Sequence, residues 1–276
     1  MTGVTEALIG SWDHRLPLSA LINIFRMMTR YSKQFQRSIM DYEGNEREDC
    51  DDVAVEDSIT LFINDTRIAT LIASPEMLRE LCVGYLITEG VVSSFEEIQD
   101  VNVNEAKREA YVTTSSFDRF ELWHEVRSSG IGVKRLTHED VTVSSDATFE
   151  RATLKKSLTY LDTQARRQTH GVHVAALFDI RGELLAQAVD VGRHNAVDKV
   201  VGIHAGNDFS QTFLLSSGRQ PAGMVLKAAR VGIPLVISKA APISTGVEAA
   251  LRAGVTLVCF ANERQFATYS HAERLV

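Results

Sequence analysis

Three scarcities narrow this 276-residue sequence before anything present is read. Cysteine is rare: Cys50, Cys82 and Cys259 are odd in number, far apart and form no C-x-x-C pair. Neither a disulfide framework nor a structural zinc site fits that pattern, and a reducing cytoplasm is the expected compartment. Long apolar runs are missing, since nothing approaches the roughly 20 residues that span a bilayer. The nearest stretch, LPLSALINIF at 16–25, starts late, has only Arg15 as a basic flank and precedes no small-residue cleavage site, so no signal peptide is expected. Basic surplus is lacking too: a net charge of −7 argues against a sequence-independent nucleic-acid binder. The Walker phosphate loop and the G-x-S-x-G nucleophile elbow are also absent.

What is present falls into three parts. Residues 1–52 read as an extension, with an amphipathic helix over Ser19–Lys33 and an acidic linker, DYEGNEREDCDD. Residues 53–145 read as a smaller strand-and-helix domain. SITLFIN and RIATLIA form a hairpin around Asn64-Asp65, and Ser74-Pro75 open a helix whose buried stripe includes Leu78, Leu81, Cys82 and Tyr85. This part ends in a glycine loop, RSSGIGVKRL at 127–136, in which GIGVKR lacks the third glycine of a dinucleotide fingerprint. Residues 146–276 alternate helix and strand, beginning with a helix from Phe149 to Gln164. The fold class expected is α/β, α+β overall, with a mostly parallel sheet in this last domain.

In such a sheet, ligands bind beyond the carboxyl ends of the strands. Four polar segments stand there: DVGRHNAVDK (190–199), SSGRQPAG (216–223), SKAAPISTG (238–246) and FANERQF (260–266). Arg193, Arg219, Lys239 and Arg264 are placed to converge on one anion, with Ser216, Ser217, Gly218, Ser244 and Thr245 ahead of helices. This suggests a phosphorylated ligand such as a nucleotide; ordinary solvated loops are the competing reading. His170, His173, His194 and Asp190 are the residues an unrelated nucleotide-processing enzyme would use, but the HGVH spacing lies at a strand start and does not favour a metal. HAE at 271–273 has no accompanying P-C-x-x-C, which removes the zinc-deaminase reading.

These residues carry a family likeness. DVGRHNAVDKVVG (190–202) resembles the most specific signature of the FdhD family of formate dehydrogenase accessory proteins, which act as sulfur carriers. ASPEMLRELCVGYLITEGVV (73–92), THGVHVAALF (169–178) and the stretch from Ser216 to Leu275 are similar to other parts of that family, so the resemblance covers about residues 55–276. It implies a cytidine-deaminase-like second domain without zinc, a cytoplasmic homodimer, and sulfur transfer from a cysteine desulfurase to the molybdenum cofactor. That cofactor would be in its bis-molybdopterin guanine dinucleotide form, before insertion into formate dehydrogenase. By the resemblance Phe260, Ala261, Asn262, Glu263, Arg264 and Gln265 bind this cofactor, joining Arg193, His194, Ser217, Gly218, Arg219 and Lys239 from the strand-end reading.

The family's chemistry needs a thiolate, which alone accepts and releases sulfane sulfur. Its loop cysteines match Ser129 and Gly132 here, and a serine hydroxyl holds no persulfide. Cys82 is read as core and Cys50 lies among acids. Cys259 stands beside the cofactor segment, a weak substitute. The alternative to sulfur transfer is therefore a module that binds the molybdenum cofactor or a guanine nucleotide without sulfurtransferase activity.

Overall fold

In a computed structural model, residues 31–115, 123–127, 130–134 and 141–276 are described. The helix predicted over Ser19–Lys33 lies almost wholly outside them, and its last residues begin a strand. The acidic linker is not a linker. β1 (Ser32–Met40) and β2 (Glu46–Ala54) form an antiparallel ribbon in register from Ser32↔Ala54 to Met40↔Glu46. Its turn is locked by Asp41, whose Oδ1 accepts from the N–H groups of Glu43 and Asn45 at 3.0 and 2.9 Å. Arg37 spans the strand pair to Asp49 and Asp51. Read along the sequence, the acids look like a solvated run; cross-strand pairing with Arg37 is a long-range effect.

A six-stranded sheet follows, in the order β5-β6-β3-β4-β8-β7. Its strands are β3 (Asp57–Ile63), β4 (Thr66–Ala73), β5 (Ile98–Asn104), β6 (Glu109–Thr114), β7 (Trp123–Arg127) and β8 (Gly130–Lys134). Asn64 and Asp65, with φ of 43° and 67°, make the tight β3–β4 turn that their residue types favour. The expected glycine loop is mostly strand. Gly130–Lys134 pairs with β7 from Trp123↔Lys134 to Arg127↔Gly130, and touches β4 at Thr70↔Ile131. The alternating Ile131 and Val133 supply strand preference that the glycines do not cancel; Ser128 and Ser129 lie outside the described residues.

α1 (Leu78–Thr88) packs on this sheet. It is not capped by Ser74 as expected: it starts after Met77, whose φ is 53°, and Ser74 is buried elsewhere. The helix expected from Phe149 to Gln164 is also broken, into α2 (Arg151–Ser157), a 3₁₀ turn at Leu158–Leu161 and α3 (Gln164–Thr169). Thr163 restarts the chain as an N-cap, its Oγ1 accepting from Arg166 N–H at 3.3 Å.

The second sheet runs β10-β9-β11-β12-β13-β14. It comprises β9 (His173–Asp179), β10 (Leu184–Asp190), β11 (Thr212–Ser216), β12 (Leu235–Ser238), β13 (Thr256–Cys259) and β14 (Ala267–Ser270). It is mixed, not mostly parallel: only β11–β12 and β12–β13 are parallel. The tight turn after Asp179, with Gly182 at φ 85°, folds β10 straight back on β9, so no crossover helix separates them. One face is covered by α4 (Arg193–His204), α5 (Ala222–Arg230) and α6 (Ser244–Ala253), and the other by α2 with its 3₁₀ turn.

The two sheets join through α1 and α4. A Cβ on Gly84 would run into the Asp198 carbonyl, and one on Gly202 into the Glu80 carbonyl, so glycine permits this close crossing. Around it, Lys227 Nζ lies 2.6 Å from Glu89 and 2.7 Å from Asp198, while Thr88 Oγ1 donates to Asp198 at 2.6 Å. A second buried network ties Asp190 to Lys199 at 2.6 Å, to Ser74 N–H at 3.0 Å and to Asn195 Nδ2 at 3.0 Å. Asn195 also donates to the Ile72 carbonyl. Buried charges of this kind persist only when paired and hydrogen-bonded.

Candidate functional site

The signature DVGRHNAVDK divides by burial. Asp190, Asn195, Asp198 and Lys199 are buried and bind the two sheets together, so Asp190 is a structural anion with its partners filled. Arg193 and His194, half-buried at the start of α4, remain for the site.

Strand direction then gathers the cations. β10, β11, β12 and β13 all run the same way, because β9 is antiparallel to both β10 and β11. Their carboxyl ends, and the start of β9, therefore share one sheet edge. Arg193 follows β10, Ser217–Arg219 follow β11, Lys239 follows β12 and Phe260–Gln265 follow β13. The mixed sheet thus preserves the edge expected of a parallel one.

Two neighbouring subsites result. The first is a cleft of about 740 Å³ lined by Lys239 and Phe260–Arg264, and on its far wall by Lys155, Leu158, Thr159 and Asp162. A smaller apolar recess of about 270 Å³ adjoins it, reaching Ile237, Val258 and Phe266. Phe260 is 48% exposed with φ of 55°, an unusual conformation for an aromatic residue, and so presents its ring at the rim. Asn262 organises the following turn, its Oδ1 accepting from Arg264 N–H at 2.9 Å and Gln265 N–H at 3.1 Å. The wall of α2 and the 3₁₀ turn escaped sequence reading; Lys155 sits on a short amphipathic helix with no local sign of a site.

The second subsite surrounds Arg193 and Arg219. Gly218 packs on Arg193 so closely that a Cβ there would lie 2.7 Å from the Arg193 Cβ. Burial, and then the nearby Arg219 guanidinium, lower the Arg193 pKa. Arg193 Nε is buried with no hydrogen-bond partner among the described residues. Beside it, Ser217 Oγ accepts from Val174 N–H at 3.0 Å and lies 3.2 Å from His173 Nδ1. Burial, then Arg193 and Arg166, push the His173 pKa down, favouring the neutral ring. Two close guanidiniums, an unmet N–H and a neutral histidine together fit an anion. His194 turns toward α5, with Nε2 3.7 Å from where a Gly223 Cβ would stand.

The helix starts contribute less than expected. α5 begins at Ala222, four residues beyond Gly218, and Ser244 and Thr245 lie inside the first turn of α6, so none of these caps its helix. Among the described residues no cluster of His, Cys, Asp or Glu is arranged to hold a metal ion, and no helix is long and apolar enough to cross a membrane. Of the thiols, Cys259 belongs to the core under α4–α6, on the opposite sheet face from Val258 and the cleft. Burial pushes its pKa up to about 12, and does the same to Cys82, with Glu80 adding a smaller rise. Cys50 is exposed on β2.

A two-sheet α/β scaffold with a cationic strand-end edge and a D-x-G-R-H-N-x-x-D-K clamp between the sheets defines the class. The profile of the FdhD/NarQ family matches residues 54–276, and the chain belongs to that family. Among its relatives, the sulfur carrier protein FdhD of Methanothermobacter thermautotrophicus is 35% identical over 74% of this chain and 83% of that protein. The sulfur carrier protein FdhD of Staphylococcus haemolyticus is 32% identical over 87% and 96%. A crystal structure from Desulfotalea psychrophila, described as a formate dehydrogenase accessory protein, superposes with a TM-score of 0.74 at 27% identity, covering 89% of this chain and all of that one.

Proposed function

We propose that this chain is a formate dehydrogenase maturation factor that holds the molybdenum cofactor, in its guanine dinucleotide form, as cargo. The observation that carries this reading is the edge where four like-directed strands deliver Arg193, Arg219, Lys239 and Arg264, none of which forms an ion pair with a carboxylate among the described residues. Polyphosphate needs such unspent cations. Lys155, Lys239 and Arg264 would hold phosphates in the cleft, and the Phe260 ring would stack on guanine. Arg193, Arg219 and His173 would take a second anionic group of the same elongated ligand. In this reading residues 146–276 form a cytidine-deaminase-like domain of a cytoplasmic homodimer, fed by a cysteine desulfurase.

Sulfur transfer is the second component, and the thiol census shapes it. Cys82 and Cys259 are buried with raised pKa values, and Ser129 and Gly132 carry no thiol. We therefore favour cofactor binding without a persulfide held at the family's loop position. Titration with GDP, as a mimic of the cofactor's nucleotide, tests the site: Arg193→Ala, Arg219→Ala and Arg264→Ala should each weaken binding about tenfold or more, and unchanged binding in all three would refute it. Incubation with a desulfurase and labelled cysteine should leave no stable label on residues 127–136.

A further inference from the structure

The β1–β2 ribbon is not used by any step above, and it ends where the family match begins, at residue 54. Its strands have nine residues each, reaching roughly 30 Å if extended. A two-stranded ribbon of this length is marginal by itself, and among the described residues only its base is packed. Val55 N–H donates to the Tyr31 carbonyl at 2.9 Å, and Ala54 abuts Gly171, where an added Cβ would lie 3.0 Å from it. Gly171 stands two residues before His173. The ribbon therefore rises beside the cationic edge.

Its charge is unequally shared. Residues 32–54 hold seven carboxylates against three cations, net −4 out of −7 for the whole chain. The register separates the two faces. One carries Lys33, Phe35, Arg37 and Arg47 with Asp49 and Asp51, and there Arg37 neutralises its own neighbours. The other carries Glu46, Glu48, Cys50 and Asp52 at alternate positions, opposite Met40, Ser38, Gln36 and Gln34, and contains no cation. Met40, at its outer end, is 67% exposed.

We infer that this acidic face docks a protein whose own opening is ringed by lysine and arginine, and that this protein is the enzyme receiving the cargo. An enzyme that admits a polyanionic dinucleotide must line its opening with cations, and an uncompensated row of carboxylates is the complementary surface. The ribbon's place beside the site would bring that opening to the ligand. The inference rests on the proposed function for the identity of the partner.

The test uses the full chain and formate dehydrogenase prepared without its cofactor, with association followed by biolayer interferometry. The triple variant Glu46→Gln, Glu48→Gln, Asp52→Asn should bind about tenfold more weakly, chiefly through slower association. The difference should vanish near about 0.5 M salt, where such charges are screened. GDP titration and the thermal midpoint of the variant should match those of the wild type, showing an intact fold and cargo site. Equal binding by variant and wild type would overturn the docking role. Failure of the wild type to bind the enzyme would also overturn it, while normal GDP titration would leave the cargo reading standing. Loss of self-association in the variant, with enzyme binding unchanged, would assign the face to a second copy of this chain and overturn the inference.

Discussion

Single residues decide what chemistry this chain can offer. The three thiols differ in access: Cys82 and Cys259 are fully covered, and Cys50 is exposed. An aromatic disulfide reagent at pH 8 should therefore titrate one thiol in the native protein and three after denaturation; labelling of the native Cys50→Ser variant at a comparable rate would contradict this placement. His173 supplies a pH signature. Its native pKa is lowered from 6.5 by burial and by Arg193 and Arg166, so the unfolded chain binds the extra proton first as pH falls. The neutral ring's contribution is complete above pH 6.5 and is lost as pH drops through and below that value toward the native one. The urea midpoint should consequently fall less between pH 7.5 and 5.5 in His173→Gln than in the wild type.

Elements carry the join between the sheets. α1 and α4 meet at Gly84 and Gly202 with no room for a Cβ. Gly84→Ala should cost about 1–3 kcal/mol, read as a lower thermal midpoint, because the Asp198 backbone must move. Lys227, on α5, neutralises Glu89 and Asp198 in the same buried network. Desolvation raises the Asp198 pKa, with Lys227 the chief opposing influence. Lys227→Met should cost about 3–5 kcal/mol, since it strands buried carboxylates; a loss below about 1 kcal/mol would show that water reaches them. The sequence made the helix stripes legible, but Ser74 looked like a helix cap and proved to be a partner of Asp190 and Val191, more than 100 positions away. Local capping preference lost to that long-range bonding.

At the scale of the molecule, charge is segregated: an acidic ribbon stands beside a cationic edge. Deleting the gene should abolish or sharply reduce formate dehydrogenase activity in cell extracts, and complementation with Arg219→Ala should restore less than the wild-type chain. Full activity in the deletion strain would remove this protein from the enzyme's maturation.

The sequence by itself determined the order of strands and helices from β3 to β6 and from β9 to β13, the polar segments following β10, β11, β12 and β13, and the lack of thiols in the 127–136 segment. Those are local properties, written in periodicity and residue type. Tertiary structure alone decided which half of DVGRHNAVDK became buried scaffold and which faced the cationic edge, that Cys259 turned into the helix layer, that Lys155 walled the cleft, and that an apparent acidic linker paired into a ribbon. Each depends on contacts between residues distant in sequence, where burial and pairing outweigh the few tenths of a kcal/mol that local preference supplies.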